Sequence, residues 1–245
     1  MHSQKVSFII PVYNEECRIA ESLDALKSFF DGFAFDFEII FVDDGSRDNT
    51  AQIIKDYIHH NNIRKFRILR LSENKGKGAA VKTGMLNADT QSFLFFFMDA
   101  DLSTPLTEIN SFIELFKSRG VDIIIGSRSL PQSKIVRRQN YVRQSMGKIF
   151  NAIIRLIADI HFIDTQCGFK MFNAAAKNSI FANLQTCGFS FDVEIVLLAK
   201  KLGLTIIDAP VTWINNPHSK VRILSDSIKM LIDVVKIKYL IKKIG

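Results

Sequence analysis

Apolar and polar positions follow two rhythms along the first half of the chain. Short runs that are apolar throughout, such as Phe93 to Met98, alternate with longer segments whose apolar residues recur every three or four positions. The first rhythm suits a strand buried on both faces, the second an amphipathic helix. The runs predict strands at about 6–11, 37–42, 66–71, 92–98 and 121–126. The periodic segments predict helices near 16–30, 48–60, 77–88 and 106–118. Such alternation gives a doubly wound α/β sheet with helices on both faces and right-handed crossovers. The second half is less regular. It reads as a helix near 138–158, a short apolar segment around 167–172, helices near 174–182 and 191–202, a strand pair near 205–214, and a last helix from about 223 to 243.

Several strands end on polar residues of one kind. Phe93–Met98 runs into Asp99-Ala100-Asp101, Phe37–Val42 into Asp43-Asp44-Gly45-Ser46, and the first strand breaks at Pro11 into Val12-Tyr13-Asn14-Glu15. In open α/β sheets, ligands bind just beyond the carboxyl ends of the strands. An isolated Asp-x-Asp reads as well as a helix cap or a turn pair. Acidic caps account for one such strand end comfortably and for three of them poorly, so the pattern points to a shared nucleotide and metal site. Asp99 and Asp101 suit a hard divalent cation that keeps some waters and takes its remaining ligands from phosphate.

Composition narrows the alternatives. With 245 residues, 47% hydrophobic and 23% charged, the chain is globular and long enough for a proper core. No Gly/Ser/Pro-rich linker, low-complexity stretch or internal repeat divides it, so a single domain over 1–245 is expected. Cys17, Cys167 and Cys187 resemble neither a disulfide framework nor a zinc site, which fits a reducing cytosol. No segment reaches the ~18–20 apolar residues of a transmembrane helix, and the first strand follows Met1 to Lys5 without a signal peptide. The net charge of +7 implies an anionic partner. Nucleic acid is not that partner, because the aromatics are mostly Phe within apolar runs and offer no stacking platform among the basic residues. His59, His60, His161 and His218 form no ligand pattern.

The segment Asn74-Lys75-Gly76-Lys77-Gly78 opens a helix after the third strand. Glycines there permit close backbone approach, and a helix N-terminus with two lysines attracts anions. The Walker A spacing is absent, so ATPase chemistry is not supported. Taken in order, Pro11–Glu15, Val42–Ser46, Asn74–Gly78 and Asp99–Asp101 resemble a family 2 inverting glycosyltransferase with the A-type, Rossmann-like nucleotide-sugar fold. Gly126-Ser127-Arg128, Asp164–Lys170 and Phe191–Glu194 narrow the resemblance to polyprenyl-phosphate sugar transferases, with dolichyl-phosphate β-glucosyltransferases as the best match.

The resemblance implies a nucleotide-sugar half at 1–128, an acceptor and membrane-proximal half at 129–245, and roles for particular residues. Pro11, Tyr13, Glu15 and Asp43 would form the nucleoside pocket, with Lys77 and Asp99 also facing the donor. Asp44 would serve the site indirectly, and Gly45-Ser46 would cap the following helix. Asp99 and Asp101 would hold Mg²⁺ or Mn²⁺, with Asp101 the more direct ligand. Mannosyltransferases of this kind often carry an amide two residues on, where this chain has Ser103. Arg128 would bind phosphate through its planar guanidinium. Arg143, Gln166 and Lys170 would line the acceptor phosphate, and Asp192 is the candidate carboxylate base; Asp101, Arg128 and Asp192 are thus the expected catalytic residues.

A phosphate acceptor would need little help from a base, since its second pKa of about 6 leaves it nucleophilic near pH 7. The expected reaction is therefore inverting transfer of glucose from UDP-glucose to a polyprenyl phosphate. The alternatives are a saccharide hydroxyl in cell-surface polysaccharide synthesis, and mannosyl transfer from GDP-mannose. Lys134 to Arg155 contains no acidic residue and repeats apolar positions at helical spacing, and the stretch from Ile228 to Lys243 likewise sets apolar positions among Lys229, Lys236, Lys238, Lys242 and Lys243. Both read as basic amphipathic surfaces for an anionic membrane. The expected location is peripheral, on the cytoplasmic face, with a membrane protein or a second copy of the chain as candidate partners.

Overall fold

The computed structural model describes residues 4–137, 152–153, 155–157, 162, 164–214 and 223–241. Its centre is a seven-stranded sheet in the order β3-β2-β1-β4-β6-β5-β7. The strands are β1 (Lys5–Val12), β2 (Asp36–Asp43), β3 (Phe66–Arg70), β4 (Ser92–Met98), β5 (Ile123–Ser127), β6 (Phe169–Asn173) and β7 (Ile206–Pro210). Helices α1 (Ile19–Phe30), α2 (Thr50–His60), α3 (Lys77–Leu86) and α4 (Glu108–Arg119) connect the first five strands. Then come α5 (Ala174–Asn183), α6 (Phe191–Lys201) and α7 (Ile223–Ile241).

Two apolar layers flank the sheet. One packs α1, α2 and α4 through Leu23, Leu26, Phe30, Ile54, Ile109 and Phe112 onto Phe8, Phe41, Phe96 and Phe169. The other packs α3, α5, α6 and α7 onto Ile9, Val42, Phe95, Phe97 and Phe172. Strand β4 lies between these layers, with Leu94 to Met98 no more than 2% exposed. A strand covered on both faces has no polar side to show, which is why its sequence does not alternate.

Two features depart from the sequence reading. The apolar segment at 167–172 becomes β6, inserted antiparallel between β4 and β5. The 205–214 segment is no hairpin. Strand β7 pairs in parallel with β5, while Thr212–Ile214 pairs in parallel with Lys134–Arg137 in a separate two-stranded sheet. Those two short strands have too few residues for periodicity to register. The basic helix expected near 138–158 lies largely outside the described residues.

The antiparallel insertion matters for the site. Strands β1, β2 and β4 run parallel, so their carboxyl ends share one edge. An antiparallel β6 begins at that same edge, with Phe169 paired to Met98. It thereby carries Asp164–Gly168 to the tip of β4.

Candidate active site

The site is assembled from loops that lock one another. Strand β1 ends at Val12 and leads to Asn14, whose φ of 50° lies in the left-handed region that Asn tolerates. Its N–H donates to Ser46 Oγ at 2.9 Å, and its side-chain oxygen accepts the Arg47 N–H at 2.8 Å. Ser46 is therefore a cross-link between strand ends and not the cap of α2. The turn before that helix is closed by Asp48 Oδ1, which accepts from the Thr50 N–H and hydroxyl. The Glu15 N–H donates to Thr50 Oγ1 at 2.6 Å.

Asp43 is fully buried at the end of β2. Its Oδ1 accepts the Ser46 N–H at 3.0 Å, and Arg70 Nε lies 3.1 Å from Oδ2. Asp44 turns the other way and accepts the N–H groups of Lys75 and Gly76 at 2.8 and 2.9 Å. Burial raises its pKa, and those two N–H bonds pull against the rise. Asp44 thus fixes the loop that opens α3. Gly45 (φ 68°) is required where it stands, because a Cβ would fall 2.5 Å from the Glu73 carbonyl carbon.

Lys77 begins α3 and lies over the β4 tip, with Nζ 2.6 Å from Asp99 Oδ1 and 5.1 Å from the Phe97 ring centroid. Burial works against its charge, but Asp99, with Asp192 and Asp101 further off, holds the ammonium above its ordinary pKa. Asp101 accepts the Ser103 N–H at 3.0 Å, which gives Ser103 a buttressing place. Burial first, and then the charge of Asp99, push the Asp101 carboxyl up. Two neighbouring carboxylates form a hard oxygen donor set, and the charge of Asp99 on buried Asp101 is of the kind a divalent cation relieves, so these residues fit Mg²⁺ or Mn²⁺.

Gly168 meets this pair from β6. Its carbonyl accepts the Asp99 N–H at 3.0 Å, and a Cβ on it would lie 1.8 Å from Asp99 Oδ2. Only a missing side chain leaves room for the carboxylate. Beside it, Lys170 is fully buried, donating to Asp192 Oδ1 and to the Cys167 carbonyl, each at 2.6 Å. Burial raises the Asp192 pKa against the pull of Lys170 and Lys77.

Arg128, at the end of β5, forms a two-pronged pair with buried Asp164, with Nε–Oδ2 and Nη2–Oδ1 both 2.7 Å. Its backbone N–H also donates to Asp164 Oδ2, at 2.9 Å, and its guanidinium faces the Trp213 ring at 5.5 Å. Burial opposes both charges, yet the pairing raises the arginine and lowers the aspartate.

The structure therefore brings Glu15, Asp43, Lys77, Asp99, Asp101 and Asp192 to one edge, with Pro11 on β1 and Tyr13 just after it both partly exposed. Gln166 sits next to the Gly168 turn, and its buried Nε2 has no hydrogen-bond partner among the described residues. Lys170 faces inward to Asp192. Arg143 lies outside the described residues. Glu194, one helical turn into α6, accepts the Gln185 and Thr186 N–H groups at 2.8 and 2.7 Å. It holds the loop whose Cys187 carbonyl receives the Ala79 N–H at 3.1 Å and backs Gly76. Sequence reasoning passed over Arg18, Arg70, Asp164 and Gly168. Of these, Asp164 and Gly168 stand inside a motif already singled out, so only their roles went unread.

Comparison with known proteins agrees with this fold. Residues 7–181 match the family model described as glycosyl transferase family 2. A dolichyl-phosphate beta-glucosyltransferase of Dictyostelium discoideum is 34% identical over 243 residues, covering 96% of this chain and 74% of that protein. The Saccharomyces cerevisiae protein of the same name is 35% identical, covering 95% and 74%, and the Homo sapiens one is 28% identical, covering 89% and 70%.

Among solved structures, glucosyl-3-phosphoglycerate synthase from Mycobacterium tuberculosis bound to UDP superposes with a TM-score of 0.66 at 19% identity, covering 99% of this chain and 81% of that one. S. aureus TarS bound to UDP-GlcNAc gives 0.62 at 20%, covering 97% and 67%. At such identities the shared property is the A-type glycosyltransferase fold. A carboxylate-rich strand edge, the A-type sheet behind it and a family match spanning most of the sequence converge: the chain belongs to glycosyl transferase family 2.

Proposed function

We propose that the chain transfers glucose from UDP-glucose to the phosphate of a polyprenyl, dolichyl-type lipid, with inversion at the anomeric carbon. The observation that carries this reading is similarity over 94–96% of the chain to four proteins named dolichyl-phosphate beta-glucosyltransferase, at 34–36% identity. In this reading Glu15 and Asp43, with the flat surfaces of Pro11 and Tyr13, receive the nucleoside, and Lys77 attracts the diphosphate. Asp99 and Asp101 would hold a divalent cation, which when bound supplies Lewis-acid stabilisation to the departing nucleoside diphosphate. A solved relative of the fold was crystallised with Mn²⁺ and UDP.

The chain's own residues do the rest. Arg128, held rigid by Asp164, keeps a permanent positive charge near the site, and Gln166 offers beside Gly168 an amide nitrogen that has no partner among the described residues. In this reading the lipid phosphate attacks the anomeric carbon from the side of β6 and the start of α6 as the nucleoside diphosphate leaves from the opposite face. Lys170 acts through Asp192, orienting a carboxylate that faces Lys77 and Asp99.

The saccharide-hydroxyl alternative draws on Asp192, since burial pushes its carboxyl in the direction a general base needs. Against it, Asp192 Oδ1 is already engaged by the Lys170 ammonium. UDP release from UDP-glucose with and without polyprenyl phosphate in detergent separates the two readings. Lipid-stimulated release supports the lipid acceptor.

The same reading places the enzyme peripherally on the cytoplasmic face of a membrane. No helix among the described residues is long and apolar enough to cross one. Instead, α7 turns Ile232, Val235, Tyr239 and Leu240 outward beside Lys236, and Leu156 is also exposed, a surface suited to lying on an anionic bilayer.

A further inference from the structure

Glu15 and Asp101 belong to different strand ends, yet one guanidinium spans both. Arg18 precedes α1 and folds back over the sheet edge. Its Nε and Nη2 clasp the Glu15 carboxylate, with Nη2–Oε1 at 2.8 Å, while Nη1 lies 3.6 Å from Asp101 Oδ2. That Nη1 is buried and has no hydrogen-bond partner among the described residues. Burial works against the charge, but Glu15, Asp101 and Asp99 keep the group firmly protonated. A buried N–H whose nearest carboxylate lies just beyond hydrogen-bonding distance calls for an explanation. Here it points between a nucleoside-side carboxylate and a cation-side carboxylate, where the diphosphate of a donor would lie.

Resting on the glycosyl-transfer reading, we propose that Arg18 is a positioning residue that couples the two halves of the donor site. It fixes Glu15 relative to Asp101, serves as the counter-ion of Asp101 before a divalent cation arrives, and offers its Nη1–H to a nucleoside diphosphate oxygen. The parallel contact on the neighbouring carboxylate is Lys77 with Asp99. Each carboxylate of the Asp99/Asp101 pair thus carries its own cation.

This coupling has a signature that a purely structural arginine lacks. Removing a positive charge a few ångströms from the cation position favours the bare cation, whereas losing the fork disfavours the nucleotide. The test measures Mn²⁺ binding alone, UDP binding at saturating Mn²⁺, and thermal stability for wild type, Arg18→Met and Arg18→Lys. Arg18→Met should bind Mn²⁺ at least about tenfold more tightly, the Coulomb repulsion between a single and a double positive charge a few ångströms apart even in a water-like dielectric of about 80. It should bind UDP about tenfold more weakly, the scale of one charge-assisted hydrogen bond.

Arg18→Lys should return Mn²⁺ affinity to near wild type while leaving UDP binding weak, because the ammonium keeps the charge but not the fork. Mn²⁺ affinity that is unchanged or weaker in Arg18→Met overturns the proposal, as does UDP affinity that is unchanged. If Arg18→Met does not fold, Arg18→Gln replaces it as the neutral variant with the same expectations. Wild-type protein that binds Mn²⁺ but no UDP overturns the glycosyl-transfer reading, and the Mn²⁺ comparison still decides the role of Arg18.

Discussion

Replacing Gly168 by alanine tests the tightest packing in the site. The added methyl would fall 1.8 Å from Asp99 Oδ2, 2.2 Å from Cγ and 2.6 Å from Oδ1, whereas ordinary contact begins at 3.4 Å. The carboxylate must therefore move by about 1.6 Å, since Gly168 itself is pinned by its bond to the Asp99 N–H and by the pairing of β6 with β4. The backbone of Gly168 is not in the left-handed region, so alanine meets no conformational penalty there. Stability should fall by about 1–3 kcal/mol, the range for overpacking, and the protein should remain folded.

Activity should suffer far more. A misplacement of about 1 Å in positioned groups costs on the order of 10²-fold, or about 2.7 kcal/mol of barrier. The assay is UDP release from UDP-glucose with polyprenyl phosphate, paired with a thermal melt and UDP binding. Gly32→Ala, with nothing within 4 Å of its Cβ, serves as the control and should leave turnover unchanged. A folded Gly168→Ala variant with wild-type turnover would refute the assignment of Asp99 to the reaction.

Other outcomes follow from the same geometry. Asp164→Asn leaves the Arg128 charge buried without its partner and should destabilise the fold by about 3–5 kcal/mol in urea unfolding. The Asp164 pKa lies below its ordinary 3.8 in the folded state, so its contribution is present above about pH 4 and lost as the pH falls; the variant's stability should be flatter across that acid range. Asp192→Asn should lower kcat by less than ~10⁴-fold if the acceptor is a phosphate, the upper range of general-base assistance, and a full ~10⁴-fold loss would favour a hydroxyl acceptor. Burial, reinforced by Asp164, pushes the Cys167 thiol up to about 12, so iodoacetamide at pH 8 should label exposed Cys17 and Cys187 in the native protein while sparing Cys167.

Much of the architecture was legible because burial on both faces leaves an unambiguous mark. Runs such as Phe93–Met98 have no polar side, and the carboxylates that end them stand at the ligand-binding edge by topology alone. The antiparallel placement of β6 was not legible, because an apolar run of five residues reads the same in either direction. That placement decides the site, since it delivers Asp164 and Gly168 to Asp99. Residue types at strand ends disclosed which side chains gather there, but not which of them neutralise each other. Lys170 and Arg128 are as basic in sequence as any phosphate ligand; only the fold pairs one with Asp192 and the other with Asp164. Arg18 was missed for the same reason. Its partners lie three residues away in one case and on a different strand in the other.

The central claim is best tested by following UDP release from UDP-glucose by the wild-type chain, with Mg²⁺ or Mn²⁺, with and without a polyprenyl phosphate in detergent. The account predicts release that requires the lipid phosphate and yields a glucosylated lipid phosphate. Release that ignores the lipid and responds to a saccharide, or release from GDP-mannose in place of UDP-glucose, would contradict it.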